Sequence, residues 1–364
     1  MSRLTEAAIR EAIESGMTAL NVPGCAYARI EGCRVTQSGV FGLADVATGR
    51  QATRDTRFSL QSISKSFAAW AVMVLVERGE VDLDAPIHRY LTSWRLPPSD
   101  RFDLDLVTPR RLLSHHAGVT VAGFLGLDPD DAGYSLIDAL DCRLPPPNAE
   151  QRRHWDYWNL PDSEPVSVTQ APGAGWAYSN AGFALLQLMI EDLTGMSFRA
   201  FVRENILLPL GMRDSTFGVE PGAPYAEPHG RDGQRNIHYV WPCDSAAGLY
   251  ATISDLAVFA CASMPGPEGE PAGRGVIRPQ SLAILHSSHG RGDQSGGRPF
   301  EAGLGHVLLK TGDRLNVHHS GGTIGWRSIF TVFPETGDGF CMVMNGEAAN
   351  DLWVPLVQLW RDSI

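Results

Sequence analysis

Residues 68–76 (AAWAVMVLV) are apolar on every face, and they follow almost directly on Ser62-Ile63-Ser64-Lys65. A helix with no polar side cannot lie on a surface, so it has to run through the interior with other elements around it. Residues 181–190 (AGFALLQLMI) have nearly the same character. Enclosing two such helices takes a large core, and 364 residues are enough for two lobes.

Ser62 and Lys65 are three residues apart, so a helix opening at the serine puts both on one face, with the amine in reach of the hydroxyl. Serine beside a base is the arrangement of an activated nucleophile. The residue type sharpens this. The chain has only two lysines, Lys65 and Lys310, so 28 of its 30 Lys+Arg residues are arginine. Arginine stays protonated, whereas a buried lysine can release its proton. A serine three positions before a given lysine arises by chance roughly one time in fourteen at this composition.

The remaining pattern is read in chain order. Leu4, Ala8, Ile9, Ala12, Ile13, Met17 and Leu20 predict a helix over 4–20, stopped by Pro23-Gly24. Residues 25–30 and 34–36 predict two strands, with 41–45 and 53–58 leading to the serine helix, which ends near Arg78-Gly79. Thr108-Pro109 opens another helix. His115 and His116 come after it and are read as serving its last carbonyls. From 121 to 170 periodicity is weak, and Pro145-Pro146-Pro147 and Trp155, Tyr157 and Trp158 suggest a lid or pocket wall. Pro172-Gly173 leads to Tyr178-Ser179-Asn180 and the second apolar helix. Further helices are expected at 198–204, 254–264 and 279–287.

In the last third, 303–309, 315–319, 326–333 and 339–344 read as successive antiparallel strands before a closing helix at 351–361. Strands at both ends and helices between predict an α+β protein. Residues 1–75 and 245–364 would form an α/β lobe, its central antiparallel sheet flanked by helices from both termini. Residues 76–244 would form an inserted, mostly helical lobe.

A net charge of −11 argues against a nucleic-acid groove or a basic membrane patch. No apolar run reaches the eighteen residues of a membrane span. The N-terminal stretch has no secretory pattern, which predicts a cytoplasmic location. The six scattered cysteines contain no C-x-x-C and read as reduced, buried residues.

Ser62-x-x-Lys65, Tyr178-Ser179-Asn180 and His319-Ser320-Gly321-Gly322, in that order, resemble the serine β-lactamase and penicillin-binding-protein superfamily, and the tyrosine its class C branch. Two rival triplets are set aside. Tyr157-Trp158-Asn159 lies in the proline-rich segment with no helix to hold it. Lys310-Thr311-Gly312 runs into Asp313-Arg314 as a hairpin turn, whereas His319 leads through Gly325-Trp326 into an apolar strand.

The resemblance implies a β-lactamase-like fold and an acyl-enzyme on Ser62. Lys65 and Tyr178 would be its proton-transfer partners, with the choice of general base open between them. The backbone N–H groups of Ser62 and Gly322 would form the oxyanion hole. Asn180 would orient Lys65 or the substrate, and His319, Ser320, Gly321 and Trp326 would line the site. No metal or organic cofactor is implied. Histidine where β-lactamases carry lysine points to an esterase or amidase acting on a small, partly apolar substrate. The alternatives are an acyltransferase of secondary metabolism using an amine or alcohol acceptor, a class C-type β-lactamase, a D-aminopeptidase, or an inactive acyl-binding sensor.

Overall fold

A computed structural model describes residues 5–120, 126–131, 133–149, 151–152, 164–293 and 299–364. Nine antiparallel strands form the central sheet. The N-terminal ones are β1 (Gly24–Glu31), β2 (Arg34–Asp45) and β3 (Arg50–Gln51). The C-terminal ones are β7 (Arg291–Gly292), β8 (Phe300–Ala302), β9 (Val307–Thr311), β10 (Arg314–Thr323), β11 (Trp326–Phe333) and β12 (Asp338–Met344). Their order is β3-β2-β1-β12-β11-β10-β9-β8-β7, so the two chain ends meet where β1 pairs with β12, Ala26 opposite Val343. A separate small sheet joins β4 (Phe58–Ser59), β5 (Thr216–Phe217) and β6 (Leu249–Ala251).

Alternation along the central strands sends neighbouring side chains to opposite faces. Tyr27, Ile329, Phe333, Phe340 and Met342 pack under the helices Glu6–Leu20 and Asn350–Arg361, one from each terminus. Ala26, Ala28, Phe330, Val332, Cys341 and Val343 join the core on the other side, with the helix Ile253–Ala262 and the serine helix Ser64–Glu77. The serine helix buries every residue from Ser64 to Leu75, as its composition requires. The helix Asn180–Thr194 lies against it, capped by the Ser179 hydroxyl.

Three expectations change. Residues 41–45 are the end of β2, because β1 pairs with it as far as Gly42 and β3 takes over at Leu43 and Asp45. The helix at Thr108 stops at Leu113, where His115 turns left-handed at φ 60. The segment 121–170 contains a short helix, Leu136–Leu140, opened by a capping box between Ser135 and Asp138. Trp155 and the triplet Tyr157-Trp158-Asn159 lie outside the described residues. All six cysteines are free, and no described helix is long and apolar enough to cross a membrane.

Buried histidines make the fold sensitive to acid. His286 and His306 face each other with ring centroids 5.0 Å apart, and the Nε2 atom of each is buried without a hydrogen-bond partner among the described residues. Burial brings His306 down to about 4 and His286 well below its ordinary value. Burial and then the Lys65 charge do the same to His115 and His319. The unfolded chain takes up these protons near pH 6.5 and the native state does not, so stability is full above about 6.5 and is lost as pH falls toward 4. Each such histidine contributes a slope of up to about 1.4 kcal/mol per pH unit in that window. Melting followed by circular dichroism is expected to show a Tm several degrees lower at pH 5.0 than at pH 7.5. A Tm unchanged across that range would contradict this account.

Candidate active site

The serine turn begins where β4 leaves the small sheet. Gln61 sits at φ 50, a conformation that costs free energy for a residue with a side chain and persists only when its surroundings impose it. Three contacts impose it. Gln61 Nε2 donates to Ser59 Oγ at 2.6 Å, Ser64 Oγ donates to Gln61 O at 2.6 Å, and Ser328 Oγ of β11 donates to Leu60 O at 2.7 Å. Ser59, Ser64 and Ser66 are fully buried and engaged in the core, while Ser62 is half-exposed. Of the four hydroxyls, only that of Ser62 faces out.

Lys65 comes one turn later and is fully buried. Its Nζ lies 3.3 Å from Ser62 Oγ and donates to the Ala246 carbonyl at 2.9 Å. The rings of Tyr178 and Phe183 lie with centroids 4.8 and 5.4 Å from the ammonium, close enough for favourable cation–π contact. Tyr178 Oη donates to Ser62 Oγ at 2.8 Å. Ser62 Oγ thus stands between a phenol and an amine, and either can carry its proton away if it arrives deprotonated.

Tyr178 is held by the residues next to it in the chain. Ser179 Oγ accepts from Gly182 N–H at 3.0 Å and donates to Thr120 O at 2.7 Å, so the tyrosine enters at a fixed helix start. Ser179 N–H donates to His115 Nδ1 at 3.0 Å, and the His115 ring lies 4.5 Å from that of Tyr178. On the outer side Trp176 lies 6.1 Å from Tyr178 and meets Phe300 edge-on at 5.2 Å, forming an aromatic wall beside the tyrosine.

The strand β10 completes the site. A Cβ on Gly321 would stand 2.2 Å from Leu60 O and 2.9 Å from Gln61 Cβ, so only glycine lets this strand approach the serine turn. Gly322, next along, is exposed. His319 is buried, its Nδ1 donating to Ser320 O at 2.8 Å, and it lies near enough to Lys65 for that charge to oppose its protonation. Lys310 is exposed on β9 beside the Gly312 turn, where Thr311 pairs with Arg314.

Two expected site residues behave differently. Trp326 is 1% exposed and packs edge-on against Phe58 and Tyr250, so it supports the strands from beneath and does not line the site. Asn180 makes no hydrogen bond to Lys65. Its Oδ1 is buried and without a partner among the described residues, and the Ala246 carbonyl takes the lysine instead. That carbonyl carries no signal in a sequence. The role of His115 as acceptor was also missed, because a histidine just after a helix reads as its cap. His116 fits that reading, with Nδ1 bonded to Ser114 O at 2.8 Å.

Comparison with known proteins places this geometry. Esterase EstB of Burkholderia gladioli is 37% identical over 196 residues, a match covering 53% of this chain and 46% of the esterase, so this chain spans less than half of that relative's length. A Beta-lactamase of Yersinia enterocolitica is 24% identical across 97% of this chain and 91% of its own. The D-amino acid amidase of Ochrobactrum anthropi SV3 superposes with a TM-score of 0.73 at 23% identity, over 97% of this chain and all of the amidase, which shows the fold. The Beta-lactamase family profile matches residues 9–359. Running from the first helix to the last, that match makes this chain a member of the Beta-lactamase family.

Proposed function

We propose that the chain is a serine esterase or amidase that acts through an acyl-enzyme on Ser62. The observation that carries this reading is the pair of hydrogen bonds ending on one half-exposed oxygen, from Tyr178 Oη at 2.8 Å and Lys65 Nζ at 3.3 Å. Ser62 Oγ attacks the carbonyl carbon of the substrate as its proton passes to the partner that is deprotonated, a Tyr178 phenolate or a neutral Lys65 amine. The same proton then goes to the leaving alcohol or amine as the bond to carbon breaks. Water, activated by the same pair, adds to the acyl-enzyme and releases the acid. Such proton transfer contributes about 10²–10⁴-fold. The N–H groups of Ser62 and Gly322 receive the oxyanion, and losing one donor of that kind costs about 10²–10³-fold.

Electrostatics supports a neutral substrate. Burial and the neighbouring Lys65 charge keep His319 uncharged at neutral pH, so position 319 itself brings no cation to a substrate carboxylate. The wall of Trp176 and Phe300 favours an apolar group beside Tyr178. The likeness to EstB points the same way.

Lys65→Arg is expected to be nearly as inactive as Lys65→Ala, both about 10²–10⁴-fold down in kcat/KM, because arginine keeps the charge but releases no proton. Retention of more than about a tenth of the wild-type rate would remove the lysine from proton transfer.

The substrate reading is tested by comparing p-nitrophenyl butyrate with nitrocefin, a β-lactam carrying a carboxylate. The ester is expected to have the larger kcat/KM by about tenfold or more, roughly 1.4 kcal/mol in the transition state. The reverse ratio would restore a β-lactamase. Mass spectrometry of the products, with and without an added amine or alcohol, separates hydrolysis from transfer.

A further inference from the structure

We propose that His115 is a positioning residue for acylation, holding the Tyr178 hydroxyl on Ser62 through the backbone on both sides of the tyrosine. The inference rests on the reading of Ser62 and Tyr178 as the acylating pair. His115 O accepts from Ala177 N–H at 2.8 Å, and His115 Nδ1 accepts from Ser179 N–H at 3.0 Å. One residue therefore binds the amides immediately before and after Tyr178. Its ring lies 4.5 Å from the tyrosine ring at an angle of 33°, and Trp176 at 5.8 Å and Phe183 at 5.3 Å fill the space around it.

The two backbone bonds explain why a side chain is tolerated at φ 60 here. In that conformation the carbonyl and the imidazole of one residue both reach the segment 177–179. Left-handed backbone at a residue other than glycine costs on the order of 1–3 kcal/mol and persists where surrounding structure demands it. Accepting at Nδ1 also assigns the tautomer. The lone pair is on Nδ1 and the proton on Nε2, so the ring is neutral. A protonated ring would turn Nδ1 into a donor facing another donor and break the bond to Ser179. Burial and the Lys65 charge both act against that.

Tyr178 thus has two supports of different kind. The Ser179 cap fixes where the helix Asn180–Thr194 starts, and His115 fixes how residue 178 is presented ahead of it. A slack presentation would lengthen the 2.8 Å bond to Ser62, and proton transfer is sensitive to that distance.

The test reads the second-order rate at which a fluorophosphonate labels Ser62, which does not depend on which ester or amide the enzyme turns over. His115→Phe keeps an aromatic ring but has no acceptor. Asparagine tolerates left-handed backbone, and its Oδ1 can take the place of Nδ1. Labelling is expected to slow about 10–100-fold in His115→Phe and to recover to within about threefold of wild type in His115→Asn. In a Tyr178→Phe background, where no hydroxyl remains to position, His115→Phe should slow labelling by less than about twofold further. Equal slowing in both backgrounds, or His115→Asn as slow as His115→Phe, overturns the proposal. Long-range ¹H–¹⁵N spectra of the wild-type protein give a check that needs no variant. A proton on Nε2 and an unprotonated Nδ1 support the assignment, and a proton on Nδ1 refutes it. Failure of the wild type to label at all would count against the acyl-enzyme reading, leaving the tautomer measurement to decide on His115.

Discussion

The fully buried amino group of Lys65 is the constraint on which the rest of this structure depends. Removing a charge from water is expensive unless oxygen atoms and aromatic faces replace the lost hydration. Lys65 obtains them from separate parts of the chain: Ser62 one turn before it, the Ala246 carbonyl, the ring of Tyr178, and Phe183 in the first turn of the helix after it. If any of these segments moved away, the charge would be left without a partner. The lysine therefore ties the serine helix, the turn around Ala246 and the start of the tyrosine helix to one another. It also governs the charge of its neighbours, since His115 and His319 are held neutral partly by its field.

Around that charge the backbone is made rigid by contacts that cost conformational freedom. Gln61 at φ 50 and His115 at φ 60 flank the site, and each is bonded so that it cannot relax. Leu60 O lies under Gly321 and accepts from Ser328, which ties the serine turn to β10 and β11. These strands sit in the middle of the nine-stranded sheet, packed on both faces, so what they present to Ser62 is set by the central sheet. Preorganised geometry of this sort is what acyl transfer requires, because donors that need no rearrangement stabilise the developing charge most.

Much of this was legible in the chain itself. The apolar runs after Ser62 and after Asn180 announced two interior helices, and both are buried in the structure. Trp326–Phe333 was read with its boundaries intact, because eight consecutive positions rich in apolar, aromatic and β-branched residues leave few other options. The scarcity of lysine drew attention to Lys65. Errors fell where a long-range partner outweighed local pattern. The strand β2 runs on to Asp45 because β3 pairs with its last residues, and Trp326 is hidden because Phe58 and Tyr250 cover it.

By itself the sequence determined which segments are interior, that sheet and helices combine as an α+β protein, and which serine, lysine and tyrosine stand as the candidates for the site. Those are properties of residue type and of spacing within a few turns. Only the tertiary structure decided which oxygen receives the lysine and what holds the tyrosine. Ala246 O is a backbone group like any other and lies 181 residues from Lys65, and Ser179 lies 64 residues from His115. Backbone donors and acceptors have no residue signature, so their partners exist only once distant segments have been packed together.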